Sequence, residues 1–139
     1  MEILRVTAAN YSLYMDMVRR RMGVQKQGED VATDDLANRN LYVYAAQEQG
    51  AFIGWISLVY IPKIGKFAKG HVYVDELYTE PEFRRRGVAR ALLRRADELK
   101  EQLQASGVRL YVNTENPGAR ALYEACGYQR SGQADYMEK

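Results

Sequence analysis

The fold of this chain is decided by the stretch Thr79-Glu80-Pro81-Glu82-Phe83-Arg84-Arg85-Arg86-Gly87-Val88-Ala89. The residues before it alternate as a strand, which stops at Pro81 because proline cannot continue a hydrogen-bonded ladder. The residues after it place apolar side chains at helical spacing, namely Val88, Leu92, Ala96, Leu99 and Leu103. A strand therefore passes into a long helix through a short basic turn.

This turn has the properties of an anion site. The first N–H groups of a helix have no partner within the helix, and the helix dipole favours an anion beside them. Gly87 lets the backbone approach a ligand, and Ala89 is small enough not to block it. These features predict that the turn binds a diphosphate. Charge alone favours another interpretation, in which Arg84 to Arg86 form a solvated face of the helix start.

The remaining elements follow from apolar periodicity and turn residues. We predict strands at residues 2–8, 41–46, 51–61, 71–79 and 108–113, with one or two closing strands within 128–137. Helices are predicted at residues 10–22, at about 28–40, from 88 to near Gly107 and at 117–126, and residues 63–70 are predicted to be an exposed loop. Asn10 and Asn116 are the predicted N-caps. The strands near residues 75 and 110 are joined by a helical crossover, so they should be parallel neighbours.

The composition is that of an ordinary globular protein of one domain, residues 1–139, with 47% apolar and 27% charged residues. Cys126 is the single cysteine and His71 the single histidine, so we expect no internal disulfide and no metal site. No apolar run reaches membrane-spanning length and the first residues do not resemble a secretory signal, so we expect a cytoplasmic protein without membrane contact. The net charge of +2 gives little reason to expect a nucleic-acid partner.

Two motifs together resemble one known family. Arg84-Arg85-Arg86-Gly87-Val88-Ala89 matches the Arg/Gln-x-x-Gly-x-Gly/Ala signature of GCN5-related N-acetyltransferases (GNAT). Asn116-x-x-Ala119-x-x-Leu122-Tyr123-x-x-x-Gly127-Tyr128 resembles the second signature of that family, with Tyr128 where phenylalanine is more usual. One short glycine motif is a weak signal, whereas two in the right order and separation are a strong one. With the predicted hairpin and N-terminal helices, the likeness extends over nearly the whole chain.

The resemblance implies a single-domain α/β fold, in which a mixed, mostly antiparallel central sheet is flanked by helices and splayed parallel strands form an acyl-CoA cleft. It implies transfer of an acetyl or other acyl group from acetyl-CoA, as cosubstrate, to a primary amine, with no metal. The expected diphosphate contacts are Arg84, Arg85, Arg86, Gly87, Val88 and Ala89. The main chain of Leu77, Tyr78 and Thr79 is expected to contact pantetheine, with an N–H of Tyr78 or Thr79 facing the thioester carbonyl. The remaining expected cofactor contacts are Asn116, Ala119 and Tyr123.

The reaction needs a group that removes a proton from the amine. A lysine-like ammonium has a pKa of about 10.4, and only the neutral amine attacks. Strand alternation predicts that Asp75 and Glu76 point to opposite faces, so one of them should view the acceptor. By resemblance we favour Asp75 over Glu76, and the alternative for both is a solvent-exposed or arginine-paired position. Tyr123 matches a tyrosine that the family has near the coenzyme sulfur and is predicted to protonate the thiolate, with core packing as its alternative. Glu80 and Glu82 are predicted to be exposed turn residues.

Two other functions remain open for the sequence. The first is a regulatory domain that binds acyl-CoA without catalysis. The second is nucleic-acid binding through the arginine clusters, which is disfavoured because the arginines are scattered over two helices and a loop. The acceptor is expected against the N-terminal helices, where Tyr11 and Tyr14 either line the site or pack. Four acidic residues lie in this region, namely Glu29, Asp30, Asp34 and Asp35. They either attract a cationic polyamine, peptide lysine or aminoglycoside, or form a solvated helix start. A homodimer is a further expectation.

Overall fold

A computed structural model describes residues 1–23, 33–66 and 69–139, and within them five strands form one sheet in the order β1-β2-β3-β4-β5. The strands are β1 (Glu2–Arg5), β2 (Leu41–Glu48), β3 (Ala51–Ile61), β4 (His71–Thr79) and β5 (Gly107–Leu110). The first four pair antiparallel, and β4 pairs with β5 in parallel. The predicted mixed, mostly antiparallel sheet is therefore confirmed, together with its parallel pair.

Helices cover both faces of this sheet. They are α1 (Tyr11–Met22), α2 (Thr33–Leu36), α3 (Val88–Leu103) and α4 (Pro117–Ala125), and a 3-10 turn, Pro81–Phe83, precedes α3. On one face, Met17 of α1 packs with Phe52 and Trp55 of β3. On the other face, the apolar stripe of α3 packs against strand residues such as Ile56 and Val72. The stripe predicted for α3 is therefore confirmed, and the sheet lies between two apolar layers.

The parallel pair is short and leaves a gap in the sheet. Within the described residues, β4 pairs with β5 from His71 to Val74, against Gly107 to Leu110. Beyond Val74, the chain as far as Thr79 pairs with β3 alone among the described strands. One side of β4 therefore carries unpaired main-chain groups next to the end of β5, where an extended ligand can bind them.

The helix α3 ends earlier than predicted. Its last residue is Leu103, because Gln104 adopts the left-handed conformation, with φ of 55°, and the N–H of Ala105 donates to the carbonyl of Lys100. These bonds close the helix in the way that a glycine C-cap usually does. Gly107, the predicted helix end, instead begins β5.

Asn10 precedes α1 as predicted, but its side chain does not cap the helix. Its Oδ1 accepts a hydrogen bond from the N–H of Thr7 at 2.8 Å, and its Nδ2 donates to the carbonyl of Arg5 at 2.9 Å. The short polar side chain therefore closes the turn between β1 and α1, which is a common alternative to capping for asparagine.

The predicted closing strands within residues 128–137 are wrong, since no strand follows Leu110 in the described residues. The chain is exposed from Gln129 to Lys139. Residues 130–135 include no β-branched or aromatic side chain, so the segment has little to stabilise it as a strand.

The predicted second helix, at about residues 28–40, lies partly outside the described residues. The part that the structure describes is α2, after which β2 begins at Leu41. Glu29, Asp30 and the side chain of Asp34 also lie outside the described residues, and Asp35 is exposed. No helix of the described chain has the length and apolar character needed to cross a membrane. The single-domain boundaries stay a prediction.

Candidate active site

The turn between β4 and α3 is an exposed loop with two left-handed residues. After the 3-10 turn, Arg84 is extended, Arg85 has φ of 62° and Gly87 has φ of 82°. A non-glycine residue in the left-handed region is uncommon, and residues with such strain cluster at functional sites. Arg85 is therefore held by the loop in a conformation that its own preferences do not favour.

The loop presents a row of unpaired donors. Within the described part of the chain, the six consecutive N–H groups from Arg85 to Arg90 have no hydrogen-bond acceptor. The first bond of α3 runs from Ala91 to the carbonyl of Gly87. Unpaired N–H groups at the positive end of a helix dipole form an anion site. The turn therefore has the geometry of an anion site, and its binding of a diphosphate stays a prediction.

Among the residues that the structure describes, none has a side chain that covers these donors. The residues from Arg84 to Gly87 are exposed, and a Cβ added to Gly87 would meet no atom within 4 Å. The side chain of Val88 points into the core, where the residue is 3% exposed, and Ala89 is partly buried. Val88 and Ala89 therefore offer a ligand their main chain more than their side chains.

Two of the three loop arginines support the loop itself. The Nε of Arg84 donates to the carbonyl of Thr79 at 3.1 Å. The guanidinium of Arg86 lies 5.4 Å from the centre of the Phe83 ring. Arg85 is exposed. The solvated-face interpretation therefore describes Arg85 better than it describes Arg84.

At the end of β4, every second residue directs its main-chain N–H and carbonyl toward the gap. The N–H of Glu80 donates to the carbonyl of Ile53 in β3 at 2.8 Å. Because main-chain groups alternate in direction along a strand, those of Tyr78 also face β3, and those of Leu77 and Thr79 face the gap. Of the two amides left open for the thioester carbonyl, the amide of Thr79 is the one on the gap side.

A β-bulge in β4 brings two carboxylates together. Ser57 pairs with Glu76 and Leu58 pairs with Val74, so Asp75 is an extra residue in the ladder. Alternation is interrupted there, because Val74 and Leu77 pack in the same core cluster although they are three residues apart. The prediction that Asp75 and Glu76 point to opposite faces is therefore wrong, since it assumed an unbroken ladder.

The carboxylate of Asp75 has the properties of a base. Partial desolvation raises the pKa of Asp75 above its ordinary value, and the nearby charge of Glu76 raises it further. Asp75 also raises the pKa of Tyr73, second to the effect of burial. A carboxylate with a raised pKa accepts a proton more readily than an ordinary one.

Glu76, in contrast, is held by neutral donors. Its Oε1 accepts hydrogen bonds from Ser57 Oγ at 3.0 Å and from Trp55 Nε1 at 3.4 Å. Tyr14 of α1 packs edge-on against Trp55, with ring centres 5.9 Å apart, and Tyr11 lies 6.2 Å from Tyr14. Burial, followed by the charge of Glu76, raises the pKa of Tyr14 to about 12. Tyr14 therefore stays protonated near Glu76, and α1 provides an aromatic wall there.

The helix α4 carries the other predicted contacts. Asn116 Oδ1 accepts a hydrogen bond from the N–H of Ala119 at 3.0 Å, so the N-cap prediction is confirmed. This bond occupies the amide of Ala119 and leaves Nδ2 of Asn116 for a ligand. Tyr123 is partly buried, with its ring centre 5.9 Å from that of Tyr128. Burial raises the pKa of Tyr123, so its phenol is protonated at neutral pH.

Comparison with known proteins agrees with this geometry. The sequence profile of the acetyltransferase (GNAT) family matches residues 9–128. The chain belongs to the GNAT family. N-alpha-acetyltransferase RimI of Mycobacterium tuberculosis is 31% identical over 98 residues, which are 70% of this chain and 58% of that protein. Spermidine N(1)-acetyltransferase of Vibrio cholerae is 34% identical over 99 residues, which are 70% of this chain and 53% of that protein.

This GNAT chain thus spans little more than half the length of these curated relatives. Solved GNAT structures share its fold. The aminoglycoside N-acetyltransferase AAC(6')-Iy in complex with CoA has a TM-score of 0.81 and 16% sequence identity, over 99% of this chain and 98% of that one. The predicted family and fold class are therefore confirmed.

The prediction for Glu80 is wrong. Glu80 is not an exposed turn residue, because it is 8% exposed and its Oε1 accepts a hydrogen bond from Arg20 Nε at 2.7 Å. The basic run Arg19-Arg20-Arg21 was visible in the sequence, but its partner is sixty residues away and becomes visible only with the fold. Glu82 is exposed, as predicted.

Three further polar side chains of the candidate site gave no signal in the sequence. Ser57 and Trp55 bind Glu76 across the sheet, and finding them requires the register of β3 against β4. Thr79 is 9% exposed, and its Oγ1 has no hydrogen-bond partner among the described residues. A buried hydroxyl without a partner costs free energy, so it marks the end of β4 as an unusual position.

Proposed function

We propose that this chain transfers an acetyl group from acetyl-CoA to a primary amine of a small molecule or peptide, by direct attack in a ternary complex. The observation that carries the proposal is the row of six unpaired N–H groups from Arg85 to Arg90, on an open loop beside the gap between β4 and β5. Membership of the GNAT family supports the same reaction. Two of its relatives are named N-alpha-acetyltransferase and spermidine N(1)-acetyltransferase.

The cofactor would lie along the gap. Its diphosphate accepts hydrogen bonds from the loop N–H groups, and the exposed Arg85 adds positive charge. Pantetheine pairs with the gap-side main chain of Leu77, as a strand would. The Thr79 carbonyl accepts from Arg84, so Thr79 offers its N–H to the thioester. On the other side of the gap, Asn116 Nδ2 donates a hydrogen bond and the small side chain of Ala119 leaves room for the cofactor. Acetyl-CoA is thus a cosubstrate, and its binding uses mainly the protein backbone.

Asp75 is the proposed base. Its raised pKa suits it to take a proton from the ammonium form of the acceptor. The nitrogen lone pair then attacks the thioester carbon, and the charge that develops on the carbonyl oxygen is stabilised by the N–H of Thr79. Glu76, held by Ser57 and Trp55, supplies a fixed negative charge that attracts the ammonium group.

The tetrahedral intermediate collapses when the carbon–sulfur bond breaks. The leaving CoA thiolate takes a proton from the Tyr123 phenol. The nitrogen, now bonded to the acetyl carbon, releases its second proton to solvent, and solvent returns a proton to Tyr123 and takes the proton from Asp75. The products are an acetylated amine and free CoA. The aromatic wall formed by Tyr11 and Tyr14 on α1 is the proposed boundary of the acceptor pocket.

A thiol-release assay tests the reaction. The chain is mixed with acetyl-CoA and an amine panel that includes spermidine, a peptide with a free N-terminus and an aminoglycoside, and free CoA is measured with a thiol reagent. Release of free CoA from acetyl-CoA that requires one class of amine supports the proposal. Binding of acetyl-CoA by calorimetry without release for any amine would favour the regulatory domain. A cytoplasmic location and a homodimer stay predictions, to be measured by fractionation and light scattering.

A further inference from the structure

Two neighbouring arginines of α1 hold the end of β4. Arg20 Nε donates to Glu80 Oε1 at 2.7 Å, and Arg20 Nη2 donates to the carbonyl of Phe52 at 2.8 Å. The guanidinium of Arg21 lies 4.8 Å from the centre of the Tyr78 ring. Two of the contacted residues, Tyr78 and Glu80, lie on either side of Thr79, which is proposed to bind the thioester. The last turn of α1 is therefore attached directly to this part of β4.

Glu80 connects three parts of the molecule. Its N–H donates to Ile53 in β3 at 2.8 Å, and its carbonyl accepts from the N–H of Phe83 in the 3-10 turn at 2.9 Å. Its side chain accepts from Arg20 in α1. The next residue back is Thr79, whose N–H faces the gap, and the next elements forward are the 3-10 turn and the loop with unpaired N–H groups. The position of Glu80 therefore sets the position of both proposed acyl-CoA contacts.

The carboxylate of Glu80 depends on Arg20. Glu80 is 8% exposed, and Arg20 is its ion-pair partner in the described chain. A largely buried carboxylate is costly when its cation is removed, because the charge loses both its partner and its hydrogen bond. Loss of Arg20 therefore forces the Glu80 side chain toward water, and its backbone moves with it.

We propose that Arg20 is a positioning residue of acetyl transfer, which acts through Glu80 to hold Thr79 and the diphosphate loop in one geometry. The inference rests on the proposed function, because it assigns the purpose of the contact to the same acyl-CoA site. The contact between Arg20 and Glu80 also couples α1, which borders the proposed acceptor pocket, to the end of β4. The basic run of α1 thus has a role distinct from that of the loop arginines, since Arg20 touches no part of the proposed cofactor path.

The test compares Arg20→Gln with Arg19→Gln. Arg19 lies on the same turn of α1, and its ion-pair partner, Asp16, is on the same helix. Both variants remove one positive charge, but only the first removes the contact with Glu80. We expect Arg20→Gln to raise the Kd for acetyl-CoA and lower kcat/KM for acetyl-CoA by roughly 10- to 100-fold, because small displacements of a binding geometry have effects of this size. Arg19→Gln should stay within about twofold of the wild type.

Two further measurements distinguish a positioning role of Arg20 from an effect on stability alone. Acetyl-CoA affinity is measured at a temperature where urea unfolding shows every variant to be folded, so that partial unfolding does not lower it. The double variant Arg20→Gln, Glu80→Gln is compared with the single variants, because two residues that act as a pair are not additive. The double variant should bind acetyl-CoA no worse than Arg20→Gln alone, and Arg20→Lys should restore part of the affinity.

The outcomes are distinct for the two proposals. If the wild type neither binds acetyl-CoA nor releases CoA, the proposed function fails. If the wild type is active and Arg20→Gln matches Arg19→Gln in acetyl-CoA affinity, the positioning role of Arg20 is refuted while the proposed function stands. Additive effects of Arg20→Gln and Glu80→Gln on acetyl-CoA affinity would also refute the proposal that the two residues act as a pair.

Discussion

Replacement of Gly87 by alanine should separate the stability of the fold from its affinity for acetyl-CoA. Gly87 precedes α3 with φ of 82°, a conformation that disfavours any side chain. A Cβ at this position would meet no protein atom within 4 Å, so the change introduces no clash in the protein. The expected loss of stability is therefore the conformational cost alone, about 1–2 kcal/mol.

The effect on binding should be larger. The added methyl group would stand over the unpaired N–H groups from Arg85 to Arg90, where the diphosphate is proposed to lie. Hydrogen bonds to charged groups contribute about 1.5–3 kcal/mol each. A tenfold change in affinity corresponds to about 1.4 kcal/mol. Loss of one such bond therefore weakens acetyl-CoA binding by roughly 10- to 100-fold.

Gly50 provides the matched control. It lies in the turn between β2 and β3 with φ of 79°, and a Cβ added there also meets nothing within 4 Å. Gly50→Ala should therefore carry the same conformational cost and leave acetyl-CoA affinity unchanged. Urea unfolding measures the first quantity and titration calorimetry the second, for both variants and the wild type. If Gly87→Ala binds acetyl-CoA as tightly as Gly50→Ala, the diphosphate does not lie against this loop.

Three further variants test the strand and the helix beside it. Thr79→Val removes the buried hydroxyl that has no partner and should raise the free energy of unfolding in urea by about 1 kcal/mol; a loss of stability would reveal a partner. Asp75→Asn should lower kcat by roughly 100-fold or more. Because the pKa of Asp75 is raised in the folded state, its charge costs stability at neutral pH, so the variant should be the more stable protein at pH 7. That difference should vanish as the pH falls below the ordinary value of 3.8, and a pH-independent difference would contradict the assignment. Tyr123→Phe should lower kcat by roughly 100-fold with acetyl-CoA affinity unchanged, whereas an unchanged kcat would leave packing as its role.

Local patterns predicted most of the fold. The alternation of residues 71–79 and the helical spacing after Val88 each depend on neighbours in sequence, and both β4 and α3 lie where these patterns put them. The N-cap Asn116 was predictable for the same reason, since its partner is three residues away. The loop with unpaired N–H groups was predictable because its donors are consecutive main-chain groups, which need no long-range contact to form.

Features that depend on distant partners were not predictable from these patterns. The pairing of Arg20 with Glu80 requires α1 to lie across the end of β4, and a charged residue next to a proline reads as an exposed turn until that contact is known. The prediction of closing strands is wrong for a different reason, since residues 130–135 lack the side chains that favour a strand.

The bulge at Asp75 accounts for two features of the site at once. Without the extra residue, alternation from Val74 would place Glu76 in the apolar layer beneath α3, where an ionised carboxylate is costly. With it, Glu76 reaches Trp55 and Ser57 on the opposite face. The bulge also follows directly after Val74, where the ladder between β4 and β5 ends. Because a bulge bends its strand and increases the local twist, the same residue that re-aims the carboxylate also turns β4 away from β5. The position of the Glu76 carboxylate beside Trp55 and the gap between β4 and β5 therefore have one structural cause.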